Sequence, residues 1–82
     1  MTTNLPVLID QWERSNREVI RVQLTEFNGN KLIEARIFHQ QYGDEFVRTY
    51  KGLSLGLKHF PRLLKALTEA DLVAAKLNLK RD

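Results

Sequence analysis

The dipeptide Asn28-Gly29 separates two runs of alternating side chains, Val19–Phe27 and Asn30–Phe38. Both central residues of a tight hairpin loop need positive φ, which Asn and Gly adopt more readily than other residues. The runs are therefore predicted to fold back as an antiparallel pair. A two-residue loop sets Leu24 opposite Ile33, Val22 opposite Ala35 and Ile20 opposite Ile37, making one face apolar throughout. A slip of one residue would put Leu24 against Glu34 and Val22 against Arg36, charge in place of core. The register is thus specified. The other face pairs Arg21 with Arg36, Gln23 with Glu34 and Val19 with Phe38, and Phe27 lies near the turn. Like charges directly opposite destabilise a sheet. Facing arginines between aromatic side chains predict a surface for an anion that carries flat rings; the ordinary alternative is solvation or pairing with Glu34 and Glu26.

The chain has 82 residues, 28% of them charged and 43% hydrophobic, which fits one folded domain with a modest core. Its formal charge is +3 and its pI about 9.5, compatible with a nucleic-acid partner but not specific for one. It contains no cysteine, which excludes disulfides and thiolate metal sites. No apolar run approaches the roughly 20 residues of a membrane span. Asp10 and Glu13 stand near the start, with no basic leader before Leu5-Pro-Val-Leu-Ile9, so no signal peptide is expected. The expected location is cytoplasmic, without a membrane partner.

Residues 1–18 read as an amino-terminal arm or an ancillary element, either a short strand or a helix, with Trp12 as a packing anchor. Beyond the hairpin, Gln40–Glu45 reads as a turn with Gly43-Asp44 at its tip. Phe46–Lys51 alternates weakly as a third strand, Gly52 marks a bend or bulge, and Leu53–Leu55 is a short fourth strand. After Gly56 the period changes to about 3.6, and Phe60, Leu63, Leu64 and Leu67 form one helical stripe. Pro61 is compatible only with a helix start, so the helix is predicted to begin close to Leu57. Ala70–Leu79 continues it or restarts after a kink. The expected fold is α+β, four antiparallel strands followed by one helix.

Glu26–Phe38, followed by Lys51-Gly-Leu-Ser-Leu55 and an aromatic-led helix at Phe60-Pro-Arg-Leu63, resembles the positive cofactor four family. That family's founding member is a eukaryotic transcriptional coactivator with a carboxy-terminal domain that binds single-stranded DNA. The similarity runs from about Val19 to Leu67 and looks like a compact, bacterial-type member. The resemblance implies a homodimer of curved four-stranded sheets, with the helices in the dimer interface through Phe60, Leu63, Leu64 and Leu67. It implies a single-stranded nucleic-acid-binding domain over residues 19–70, with 71–82 a helical extension or tail.

Phe27 matches the family's turn-proximal stacking aromatic, Arg36 its second-strand arginine and Lys51 the lysine before Gly-Leu-Ser-Leu. The chain departs from the pattern at Asn28 and Asn30, where lysines are frequent, at His39, where the family has tryptophan, and at Tyr50, where it has arginine. On this resemblance Arg21, Arg36, Arg48 and Lys51, with Lys31 beside the turn, are expected to contact phosphates. Phe27, Phe38, His39 and Tyr50 are expected to stack on bases. Phe38 is equally compatible with a core position. The implied function is sequence-tolerant binding of unpaired DNA, with RNA as the alternative ligand, in a transcription-coactivator or other DNA-transaction role. That would make the protein nucleoid-associated and a partner of the transcription machinery.

His39 and His59 are far apart in sequence and lack carboxylates at ligand spacing, and no Gly-rich phosphate loop or nucleophile triad is present. Neither an enzyme nor a cofactor is expected. Glu26, Glu34, Asp44 and Glu45 are expected to be solvated. The competing function is a protein-interaction or structural dimer that keeps the fold without a nucleic-acid ligand, using the helix stripe and Leu72, Val73, Leu77 and Leu79.

Overall fold

The computed structural model describes residues 4–79. Four strands, β1 (Val7–Ser15), β2 (Glu18–Phe27), β3 (Asn30–Gln40) and β4 (Phe46–Gly56), form one antiparallel sheet in sequence order. A single 3-10 turn over Leu57–His59 leads into helix α1 (Phe60–Lys76).

The central hairpin has the predicted register: Leu24 pairs with Ile33, Val22 with Ala35, Ile20 with Ile37 and Arg21 with Arg36. Asn28 and Gly29 carry φ of 51° and 79°, both positive as a two-residue loop of this twist demands.

The amino-terminal residues take the strand alternative, over a longer span than a short ancillary strand, and the expected third and fourth strands merge. Residues 7–15 join the sheet as β1, paired along β2 from Val7↔Leu24 to Ser15↔Glu18. A register shift between Leu8 and Asp10 inserts Ile9 as an extra residue, so Val7, Asp10 and Trp12 share a face. That shift erases the period of two. The expected third and fourth strands, in turn, are one strand interrupted by a bulge: Phe38 pairs with Arg48, Arg36 with Gly52, and Thr49–Lys51 loop out between them.

The bulge is pinned from both sides. The Thr49 hydroxyl donates to the Ile37 carbonyl at 2.6 Å and accepts from the Lys51 amide at 3.2 Å. Gly52 takes φ of 151°, and a Cβ there would lie 2.5 Å from the Ala35 carbonyl oxygen and 2.6 Å from the Arg36 Cα. Only glycine lets β3 and β4 approach this closely.

Pro61 sits in the first turn of α1, where no intrahelical partner for its nitrogen is needed. The helix runs uninterrupted to Lys76 rather than to Leu79. It closes at Asn78, with φ of 55°, whose amide donates to Ala75 while that of Leu79 donates to Ala74. No residue of α1 is buried. Leu64 and Leu67 remain 53% and 56% exposed, and Phe60 and Leu63 are half-buried. The buried side chains are few: Val19, Ile33, Phe38 and Glu34. No helix among the described residues is long and apolar enough to cross a membrane.

Candidate nucleic-acid interface

Strand alternation and register place Arg21, Gln23, Thr25 and Phe27 of β2 on one face. Beside them lie Leu32, Glu34, Arg36 and Phe38 of β3, and Arg48 and Ser54 of β4. At its centre, Glu34 is the most buried side chain, 2% exposed. Its carboxylate accepts hydrogen bonds from Gln23 Nε2 (2.8 Å), Arg36 Nε (2.9 Å), Arg48 Nε and Nη2 (3.0 and 2.6 Å) and the Ser54 hydroxyl (2.9 Å). Burial alone would raise the Glu34 pKa. The bonds from Arg48, Gln23, Arg36 and Ser54 outweigh it and bring the carboxyl down to about 2.

This hub resolves the repulsion between the facing arginines. Arg36 turns to Glu34, and its other two nitrogens donate to the Thr49 carbonyl (3.2 Å) and the Ser54 hydroxyl (3.0 Å). Arg21 lies over the Phe38 ring, 4.1 Å from its centroid, with Nε donating to Gln11 of β1 at 2.8 Å.

One expectation is corrected, for Arg36, and one alternative is decided, for Phe38. Arg36 is 10% exposed and all three of its nitrogens are engaged, so it organises the site rather than meeting phosphate. Phe38 is 7% exposed beneath Arg21 and is a core ring, not a stacking surface. Pairing of Arg36 with Glu34, the ordinary alternative in the sequence, is what the structure has. What sequence reading missed is that Glu34 is buried as the centre of the face rather than solvated. The available signal was its register: an acid opposite Gln23 on the face that also carries three arginines.

Three nominated groups remain open on this face. Phe27 is 67% exposed at the hairpin end. Arg48 is 57% exposed and leaves Nη1 without a hydrogen bond among the described residues, and Arg21 is half-buried. Between Phe27 and Arg48 runs a groove of about 390 Å³ whose lining includes Gln23, Thr25, Leu32, Glu34 and Ser54. It joins an exposed ring, apolar wall and amide and hydroxyl groups to a guanidinium at the rim. Across β2–β4 this face holds three guanidinium groups and one carboxylate.

The other nominated residues lie elsewhere. Lys31 and His39 alternate onto the opposite face, where Lys31 pairs with Glu26 at 2.8 Å. Tyr50, fully exposed, and Lys51 belong to the bulge. Lys51 lines a hollow with Ile20, Ala35 and Ile37, toward the apolar face. Glu18, on that same face, has its carboxyl lowered first by the Ser15 hydroxyl, against desolvation, then by Arg14 and by the charge of Lys51. The nine nominated residues therefore do not form one continuous surface within a single chain.

No family model matches the chain, and no curated protein sequence does. Solved structures do. A PC4 homologue from Burkholderia pseudomallei superposes in its tetragonal crystal form with a TM-score of 0.71 at 20% identity, covering 80% of this chain and 97% of that one. Its orthorhombic form gives 0.70 at 18% identity, with 87% and 96% covered. The bacteriophage T5 homologue of the eukaryotic transcription coactivator PC4, implicated in recombination-dependent DNA replication, gives 0.66 at 26% identity, with 94% and 100% covered. The chain is PC4-like, with the fold that these bacterial and phage homologues share.

Proposed function

We propose that this chain is a sequence-tolerant single-stranded DNA-binding protein that acts as a homodimer in a transcription-coactivator or replication-accessory role. It binds; it does not catalyse. The observation that carries this reading is the groove face itself. An exposed Phe27 ring offers a stacking platform, and an ordered Arg48 offers an unbonded Nη1 within reach of the same strand. Unpaired strands need both, a cation for the backbone and a ring for bases that are not stacked on a complement. Similarity to the T5 homologue over nearly the whole chain supports the reading.

The dimer is supported by surface that one chain leaves uncovered. Its accessible surface is 7068 Å², against about 5,100 Å² for a folded monomer of this mass. Its radius of gyration is 15.0 Å, against about 12 Å for a compact chain of this length. The excess surface exceeds what one partner contributes to a standard interface, roughly 800 Å². The α1 stripe, with Leu64 and Leu67 exposed and Phe60 half-buried, and the apolar sheet face are the surfaces a second copy would cover.

Titration of labelled single-stranded DNA, single-stranded RNA and duplex DNA tests the function. Tight binding of single strands that weakens steeply with salt supports it; equal or stronger binding of duplex contradicts it.

A further inference from the structure

At the end of the sheet away from Phe27, the β1–β2 turn meets the β3–β4 loop. The Gln40 amide donates to the Arg17 carbonyl at 2.7 Å, and the Gln40 side-chain amide donates to Gly43 at 2.6 Å. The Gln41 amide donates to the Glu45 carbonyl at 3.0 Å. The loop is thus fastened at three points, yet it carries Tyr42 at 91% exposure. A ring that shields nothing on a fastened loop has lost backbone freedom in advance of any ligand, which lowers the ordering cost of binding. Arg17, His39, Gln40, Gln41, Tyr42 and Gly43 line a hollow of about 440 Å³ there. Arg17 makes no ion pair with any described residue, whereas its neighbour Arg14 is held by Glu18 at 2.6 Å.

We propose that this hollow is a subsite for one nucleobase of the bound strand, with Tyr42 as its stacking platform. The proposal rests on the single-strand-binding reading and extends it to residues outside the Phe27–Arg48 groove. A ring face and two side-chain amides suit a base with hydrogen-bonding edges. Phosphate attraction is secondary here, because Asp44 and Glu45 follow directly in the loop and offset Arg17. Stacking therefore dominates at this end, while charge dominates at Arg48. The two contributions respond differently to salt: counterion release governs the second and not the first.

The test measures binding of a fluorescent single strand of about 16 nucleotides, within known single-strand site sizes. It compares the unchanged protein, Tyr42→Ala, Tyr42→Phe and Phe27→Ala at two salt concentrations. Because the Tyr42 ring is exposed, both of its variants are expected to fold, which an unchanged melting temperature verifies. The expected result is about a tenfold loss for Tyr42→Ala, the same at both salts, with Tyr42→Phe close to the unchanged protein. Tyr42→Ala binding within twofold of the unchanged protein, while Phe27→Ala is weakened, overturns the subsite and leaves the functional reading standing. An unchanged protein that binds no single strand overturns both.

Discussion

Arg48 Nη2 lies 2.6 Å from the carboxylate of Glu34, a residue 14 positions earlier and on the neighbouring strand. This contact ties the exposed rim of the groove to its buried floor. Arg36 and Ser54 converge on the same oxygen, so one carboxylate orders both guanidinium groups of β3 and β4.

Glu34 should make the fold acid-sensitive. Its folded pKa of about 2 lies below the usual 4.5, so the ionised form stabilises the fold above pH 4.5. That contribution, about 3 kcal/mol, is lost as pH falls from roughly 4.5 through 2. Melting temperatures across pH 2–6 should drop in this window for the native chain and vary less for Glu34→Gln. At pH 7 the variant should be less stable by about 2–4 kcal/mol, since it leaves Arg36 short of its counter-charge. Equal acid profiles for the two proteins would contradict the role assigned to Glu34.

Arg48 and Phe27 should weaken binding in different ways. Phe27→Ala removes a stacking face and should cost about 1–3 kcal/mol with little change in salt dependence. Arg48→Ala removes a phosphate contact and should lower the magnitude of the salt slope by about 0.7 per protomer. Anisotropy titrations of each variant over a salt series measure both.

Gly52→Ala should damage the fold rather than the ligand surface. Its Cβ would lie 2.5 Å from the Ala35 carbonyl oxygen, and φ of 151° strains any L side chain. A loss of at least about 2 kcal/mol in denaturant unfolding is expected. Tolerance of this change would show that β3 and β4 do not approach as described.

The uncovered helix stripe makes a prediction about assembly. Sedimentation should report a dimer for the native chain, and Leu67→Glu should shift it to monomer or unfold it by placing charge in the proposed interface. A native chain that sediments as a monomer at micromolar concentration would contradict the proposed dimer.

The sequence made the hairpin legible because Asn28-Gly29 and two clean alternations agree on one register. It left β1 open between an arm, a strand and a helix because Ile9 sits in a bulge that breaks the alternation, and Pro6 with Glu13–Glu18 looked like an interruption. Gly52 was legible as an irregularity, but not as a bulge that keeps Phe46–Gly56 one strand, since that depends on how closely Ala35 and Arg36 approach. Arg36 was read one layer too far out, and Phe38 was left open between core and surface. Side-chain alternation assigns a face but does not say which residues of that face are covered by others, and here Arg21 covers Phe38 while Arg48 and Ser54 enclose Glu34 and Arg36. Phe27 was legible because nothing beyond the turn can cover it.

The most direct measurement is the salt dependence of binding to a single-stranded oligonucleotide beside a duplex of the same sequence. With Arg21 and Arg48 on phosphates, log Kd for the single strand should change with log salt by at least about 1.4 per protomer, and the duplex should bind more weakly at every salt. A salt-independent signal, or a duplex bound as tightly as the single strand, would contradict the account.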